Sequence, residues 1–219
     1  MEDGVQIDAA RAAAQEGIHA LRQKIDQLDD ASIDLILRDA RSHYAWTDKP
    51  VSDETLRTLY DITINGPTSM NTCPARFVFV TSDEGKDRLA KALKPKNVDK
   101  MKTAPVTAII AWDPAFWERL DFLFPHEDRK PMFAGKDQHI HDTAFRNSTL
   151  QGAYFMIAAR ALGLDVGAMS GFSNEVVDAE FFADSGWKSN FLCNIGYADV
   201  SAIFPKLPRF AFEDVCVFA

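Results

Sequence analysis

ARFVFVTSDEGKDRLAKALKPKNVDKMKTAPVTAIIAW, residues 75–112, decides the fold class. It opens on ARFVFV (Ala75–Val80), a β-branched and aromatic run of strand length. From Ser82 the pattern changes. Leu89, Ala92 and Leu93 fall on one face, which predicts a helix over 82–93. PVTAIIAW (Pro105–Trp112) is then apolar almost without a break and reads as a strand buried on both faces. Strand, helix and buried strand follow one another closely, so sheet and helix share one core.

Upstream, Ser52 can cap a helix with Asp53 and Glu54 in its first turn and with Leu56, Leu59, Tyr60 and Thr63 inward. It should stop before Gly66-Pro67. Ile33, Ile36 and Leu37 mark a short helix over 33–40 that Ser32 can cap. Ile18, Leu21, Ile25 and Leu28 form one amphipathic stripe in residues 1–32, an acidic helical extension peripheral to a main domain over 33–219. Downstream, 113–141 is irregular and rich in Phe, Pro and charge, an excursion that reads as a lid or binding segment. Asp142 can cap a long helix through Leu162 with Gly163 just past its end, and AYFMIAA in its middle predicts a central helix buried all round. LDVGAM (164–169) reads as a short strand or loop, 174–183 as a helix, 190–197 as a strand and 214–218 as a last strand. About five strands interleaved with helices give an α+β or three-layer α/β/α domain.

The chain of 219 residues is 47% hydrophobic and 26% charged, enough for a core without disulfide or metal staples. Its net charge is −8, and residues 1–40, with nine acids and four bases, supply −5 of it. That balance argues against general nucleic-acid binding and against an anionic membrane surface. No apolar run approaches the ~18 residues of a membrane span. The acidic start MEDGVQIDAARAAAQEG lacks the apolar core of a secretory signal, so a cytoplasmic location is expected. Cys73, Cys193 and Cys216 are odd in number and form no C-x-x-C, and they read as reduced thiols.

Five polar clusters stand out, and each alone also fits an ordinary loop or helix end. Arg41-Ser42-His43 offers a planar cation, a hydroxyl and an imidazole to an anion. Gly66-Pro67-Thr68-Ser69-Met70-Asn71 is a rigid turn bearing small donors. Asn97 and Lys100 precede the buried strand. Met169-Ser170-Gly171 allows a close backbone approach. Lys206 and Arg209 are cations near the C-terminus. His139-x-His141 lacks a third ligand at useful spacing, so no metal is expected. Hydrolase, zinc-protease, NTPase and Rossmann motifs are absent from the sequence.

The order and spacing of these clusters resemble the FMN-dependent nitroreductase family. The blocks VSDETL, GPTSMNTCPAR, APVTAIIAW, TAFRNS, RALGLD, MSGF and NIGY look like its RutE/HadB branch, the malonic semialdehyde reductase-like one, over about residues 33–219. The resemblance implies a three-layer α/β/α fold with a mainly antiparallel central sheet, in an intertwined homodimer with FMN at the subunit interface. It implies that Arg41, Ser42, His43 and Arg209, with Lys206 as a looser match, hold the phosphate end. Pro67, Thr68, Ser69 and Asn71 would reach the flavin from the other subunit. Asn97 and Lys100 would lie near the ribityl chain and pyrimidine edge, and the backbone of Met169, Ser170 and Gly171 near N5.

In that reading the flavin carries the hydride, taken from NADPH or NADH and passed on by a ping-pong cycle, and no side-chain acid or nucleophile is needed. The acceptor implied is a small aldehyde acid such as malonic semialdehyde, reduced to 3-hydroxypropionate. Arg146, in TAFRNS, and the excursion's Arg119 and Arg129 are candidates for its carboxylate. A nitroaromatic or quinone acceptor is the alternative, served by Phe116, Trp117, Phe122 and Phe124, and a non-enzymatic flavin-binding module is a third. Ala45 stands where many relatives have lysine, which implies a lower flavin potential than a two-lysine relative has. Ser170 replaces a common Glu, and Ala75 a common Trp.

Overall fold

The computed structural model describes residues 2–219, with side chains from Ala9 onward, in two units, Met1–Ala40 and Arg41–Ala219. In the first unit, α1 (Glu2–Lys24) leaves Ile18 and Leu21 exposed, as are Ile25 and Leu28 beyond its end. α2 (Asp30–Ile33) runs into a π turn over Asp34–Arg38. Its cap is Asp29, whose carboxylate accepts from the Ser32 amide at 2.7 Å, so Ser32 lies inside the helix rather than capping it. Arg38 braces the turn through Asp34 and Asp30 at 2.8 and 2.7 Å.

The second unit begins its regular structure with α3 (Asp53–Thr63), where the Ser52 hydroxyl accepts from the Thr55 amide at 3.1 Å. β1 (Ala75–Val80) leads to α4 (Asp83–Ala90), capped by Ser82, then to α5 (Pro95–Thr103) and β2 (Val106–Trp112). The excursion holds short 3-10 turns and α6 (Leu120–Leu123). After it come α7 (Asp137–Ala161), β3 (Asp165–Met169), α8 (Asn174–Phe181), β4 (Lys188–Gly196) and α9 (Phe212–Val215).

The four strands lie in the order β1-β2-β4-β3, and every neighbouring pair is antiparallel. Alternation along β2 sorts the layers. Val106, Ala108 and Ile110 face Leu56 and Leu59 of α3 and Phe155, Ala158 and Ala159 of α7. Ile109 and Ala111 face Leu89 of α4, Met101 of α5 and Val177 of α8. Helices therefore cover both faces, which is why β2 is apolar without interruption. A third cluster joins Phe116, Leu120 and Phe133 of the excursion to Ala144 of α7, with Met70 and Trp112 packed against it.

Further expectations are corrected. α7 starts at Asp137, not at Asp142, because Ile140 packs into the excursion's cluster and draws the preceding turn into the helix. It is not buried all round: Phe145, Leu150 and Tyr154 are exposed, and so is Tyr60 of α3, while Thr143, Ala144, Asn147, Gln151 and Phe155 are buried. Residues 214–218 form no strand. Phe212–Val215 is a helical turn, and among the described residues no strand pairs with the tail, so the fifth strand is missing.

Candidate functional site

The first cluster gathers at the β3 edge of the sheet. Ser42 bridges Val166, and the His43 amide donates to the Val166 carbonyl at 3.0 Å, which lays segment 41–44 along β3. Gly167 permits this closeness, since a Cβ there would lie 2.5 Å from the His43 carbonyl oxygen. The His43 ring is nearly buried with Nε2 3.2 Å from Asp165 Oδ1. Burial pushes its pKa below 6.5; Asp165 pulls against that, and Arg160 and Arg41 reinforce it. Arg41 makes no ion pair among the described residues. Lys100 of α5 holds its ammonium 4.4 Å from the centre of the Tyr44 ring.

The same cluster takes in the loop after β3. Asn97 Nδ2 and the Lys94 amide both donate to the Gly171 carbonyl at 3.1 Å, and a Cβ on Gly171 would lie 2.6 Å from Asn97 Nδ2. Asn194 Nδ2 donates to the Lys100 carbonyl at 3.1 Å, tying α5 to β4. Ser170 and Gly171 lie beyond the β3 ladder, and their amides donate to no backbone carbonyl among the described residues. A turn whose carbonyl is anchored and whose amides are free is built to donate to something else.

The second cluster forms at the opposite edge, in the loop that enters β1. Gly66 abuts Tyr154 of α7, and a Cβ there would lie 2.6 Å from the ring. The Ser69 amide donates to Asn147 Oδ1 at 2.8 Å, and the Ala75 amide to Gln151 Oε1 at 2.9 Å, both from α7. The Thr68 hydroxyl accepts from the Cys73 amide at 3.2 Å. Asn71 Nδ2 donates to the Leu123 carbonyl at 2.8 Å, and Met70 packs into the excursion's cluster, so this loop also holds the excursion. Met70, Asn71 and Cys73 have φ of 50°, 52° and 40°. Left-handed backbone costs a non-glycine residue about 1 kcal/mol or more, and such cost concentrates at functional segments. The Thr72 hydroxyl is buried without a partner.

Across the sheet the two clusters are three strand spacings apart, roughly 14 Å, and along it they also differ, since Val166 lies level with the start of β2 whereas Ala75 pairs with Trp112 at its end. No hydrogen bond among the described residues joins Pro67–Asn71 to Arg41–His43, Asn97, Lys100 or Met169–Gly171. Lys206 and Arg209 are exposed, with Arg209 Nη1 donating to the Leu207 and Pro208 carbonyls at 3.1 and 3.0 Å, and two residues before Lys206 the Phe204 ring meets Tyr44 edge-on at 5.7 Å. Arg146 is exposed on α7. His139 stacks on Phe133 while His141 stacks on Phe145, so the pair diverges, and no group of three metal-ligating residues exists among the described residues.

Sequence reasoning missed Tyr44, Asp165, Asn147 and Gln151. The last two had a signal: polar residues four apart on an apolar helix face need partners, and here the partners are amides of the neighbouring loop.

A free guanidinium, a lysine on an aromatic ring and two unpaired amides suit a flat ligand with a polar edge and an anionic end. The nitroreductase family profile matches residues 37–197. A Rhodopseudomonas palustris protein provisionally named NADH dehydrogenase/NAD(P)H nitroreductase is 54% identical over 189 residues, covering 86% of this chain and 96% of its own. A nitroreductase-like protein from Exiguobacterium sibiricum, solved in complex with FMN, superposes with a TM-score of 0.75 at 23% identity, covering 88% of this chain and 99% of its own. A Staphylococcus epidermidis structure provisionally named NAD(P)H:FMN oxidoreductase superposes with a TM-score of 0.77 at 20% identity, covering 88% of this chain and 97% of its own. With the matching profile spanning most of its length and a relative sharing more than half its residues, the chain belongs to the nitroreductase family.

Proposed function

We propose that this chain is an FMN-dependent NAD(P)H oxidoreductase that works as a homodimer. The observation that carries the reading is the β3-edge cluster, with Arg41 free of any ion pair and the Ser170 and Gly171 amides free of any backbone acceptor. FMN, when bound, supplies two-electron hydride chemistry, accepting hydride from a nicotinamide and releasing it to a second substrate. Arg41 and the Ser42 hydroxyl hold the phosphate. Lys100 puts a positive charge where reduction adds a negative one, with Tyr44 fixing its direction. Asn97 is already committed to Gly171, so it positions the loop rather than offering its amide to a ligand. His43 likewise faces Asp165 and contributes mainly through its backbone.

Two chains are needed because the Pro67–Asn71 loop lies at the opposite sheet edge from Arg41, and a second copy can bring it over the ligand. Arg209 and Lys206 join the phosphate end in that dimer, where the exposed tail that carries them meets the partner. The full set of proposed contacts is therefore Arg41, Ser42, Lys100, Ser170, Gly171, Lys206 and Arg209, with Pro67, Thr68, Ser69 and Asn71 of the neighbouring copy.

The acceptor we favour is a small aldehyde acid such as malonic semialdehyde, as in the RutE/HadB branch. Arg146, exposed on α7, is the cation for its carboxylate. The deciding experiment is the absorption spectrum of the purified protein before and after anaerobic NADPH. Yellow protein that bleaches supports the reading, and a colourless protein that takes up no added FMN rejects it. Turnover of semialdehyde against quinone then ranks the acceptors, and an Arg146→Ala enzyme with an unchanged KM for the aldehyde acid removes that role.

A further inference from the structure

Outside both clusters, a cavity of about 420 Å³ opens where the end of β2 meets the excursion and the first turn of α7. Trp112, Trp117 and Ile140 line it half-buried, and Glu118, Asp137 and His141 line it from exposed positions. The indoles are held in place. Trp112 meets the His141 ring edge-on at 5.4 Å, and His141 is itself stacked on Phe145 at 5.8 Å. Trp117 packs against the Phe116–Phe133 cluster.

The charges are lopsided. Other acids nearby are paired: Asp113 with Arg76, Asp121 with Lys130, Glu127 with Arg129 and Asp142 with His141. Glu118 and Asp137 have no ion pair and no side-chain hydrogen bond among the described residues, and no Lys or Arg lines the cavity. The N-terminus of α7 contributes only about half a positive charge against these two negatives. Arg119 and Lys136, their neighbours in sequence, lie outside the lining, so the lining itself favours a cation over an anion. A hard metal ion wants six or more oxygen ligands, or near-ideal octahedral geometry, and two carboxylates beside indoles do not supply either. Two indoles and two unpaired carboxylates in one lining match a cation with apolar sides, and the volume falls in the range of small-molecule sites.

We infer that this cavity binds a small organic cation, an alkylated ammonium or a cationic heteroaromatic ring, seated on Trp112 and Trp117 with its charge toward Glu118 and Asp137. The inference uses none of the proposed flavin contacts, so it stands or falls apart from the flavin reading.

The test is calorimetric titration of the full-length protein as purified, with choline, with its neutral carbon isostere 3,3-dimethylbutan-1-ol, with N-methylpyridinium and with benzenesulfonate. A cation should bind about tenfold more tightly than the isostere, and its affinity should fall with added salt. Whichever of choline and N-methylpyridinium binds better identifies the kind of cation. Trp117→Leu should weaken that cation about tenfold and spare the isostere. Glu118→Gln with Asp137→Asn should abolish the salt dependence. Equal binding of cation and isostere would reduce the cavity to an apolar slot and overturn the inference, as would preferred binding of benzenesulfonate or no heat from either cation at millimolar concentration. Because the comparison of charged and neutral probes and the salt series use the unaltered protein, a variant that fails to fold leaves the decision intact.

Discussion

β2 and the tail over 203–218 are built from the same kinds of side chain and meet opposite fates. β2 is buried at every position but its last, with β1 and β4 bonded on either side and helices on both faces. In the tail, Phe204, Phe210, Val217 and Phe218 are 68%, 80%, 89% and 92% exposed. A chain does not spend four such residues on water without a reason; contiguous apolar exposure marks an interaction surface. β2 finds its cover within the chain, whereas the tail, among the described residues, finds little and asks for one. The exposed Phe145, Leu150 and Tyr154 of α7 ask for the same thing. In the dimer we propose, a second copy answers both.

Removing residues 203–219 attacks that comparison most directly and should have the largest effect. Burying one Phe or Val side chain contributes about 1.5–3 kcal/mol, so the tail accounts for much of what a dimer must gain against an association cost of at least ~4 kcal/mol. The shortened chain should sediment as a monomer and retain no FMN, while far-ultraviolet circular dichroism shows the sheet and helices intact. A dimeric, yellow product would break the comparison, because it would mean the tail is not what holds two copies together.

Within the covered region, Gly167→Ala should come next. The new methyl would sit 2.5 Å from the His43 carbonyl, backbone that cannot turn aside. Overpacking of this kind costs ~1–3 kcal/mol, a fall in Tm of about 2–12 °C for a domain of this size. A Tm within 1 °C of the parent would show that segment 41–44 is not pinned to β3 as tightly as the cluster requires.

What was legible in the sequence follows the same division. β1 and β2 match their expected extents almost to the residue, and Ser52 caps its helix as expected, because these signals are local. The start of α7 departs from the expected Asp142 cap because no side chain caps it: the N-cap position falls on Lys136, and the packing of Ile140 against the excursion draws the turn before Asp142 into the helix. The tail reads as a strand on propensity, yet a strand exists only where a ladder partner does. In the site, the motif residues do cluster by segment. The engagements that change their roles are long-range: His43 with Asp165 and Asn71 with Leu123 pair residues far apart in sequence, and no spacing rule reports such pairs. That Pro67–Asn71 and Arg41 stand at opposite sheet edges is a fact of topology, invisible until the strand order is known.

Arg41→Ala should weaken FMN by roughly 10- to 100-fold, the worth of a charge-assisted contact of ~1.5–3 kcal/mol, read by fluorescence titration of apoprotein. Asn71→Ala should do less to stability, about 1 kcal/mol for one hydrogen bond to the Leu123 carbonyl, and its mark should be faster proteolysis within 113–136. If Asn71→Ala instead matched Arg41→Ala in lost FMN affinity with no change in proteolysis, the side chain would be a ligand contact and not a latch.

The smallest effect probes the cost of cover itself. His43 is nearly buried, and desolvation, with Arg160 and Arg41, holds its pKa below 6.5 despite Asp165. Above 6.5 the ring is neutral in both folded and unfolded chains and contributes no pH dependence. As the pH falls through 6.5 the unfolded chain takes up the proton first, so stability is lost, down to the depressed folded value. Melting curves between about pH 5 and pH 8 should therefore show the parent losing Tm on acidification faster than His43→Gln, which keeps a polar side chain there without a titrating ring. Parallel curves would mean that the ring titrates alike in both states. A parent that gains stability on acidification would mean that Asp165 outweighs burial, which would make His43–Asp165 a true ion pair and the β3 edge less like the dry interior of β2 than its burial suggests.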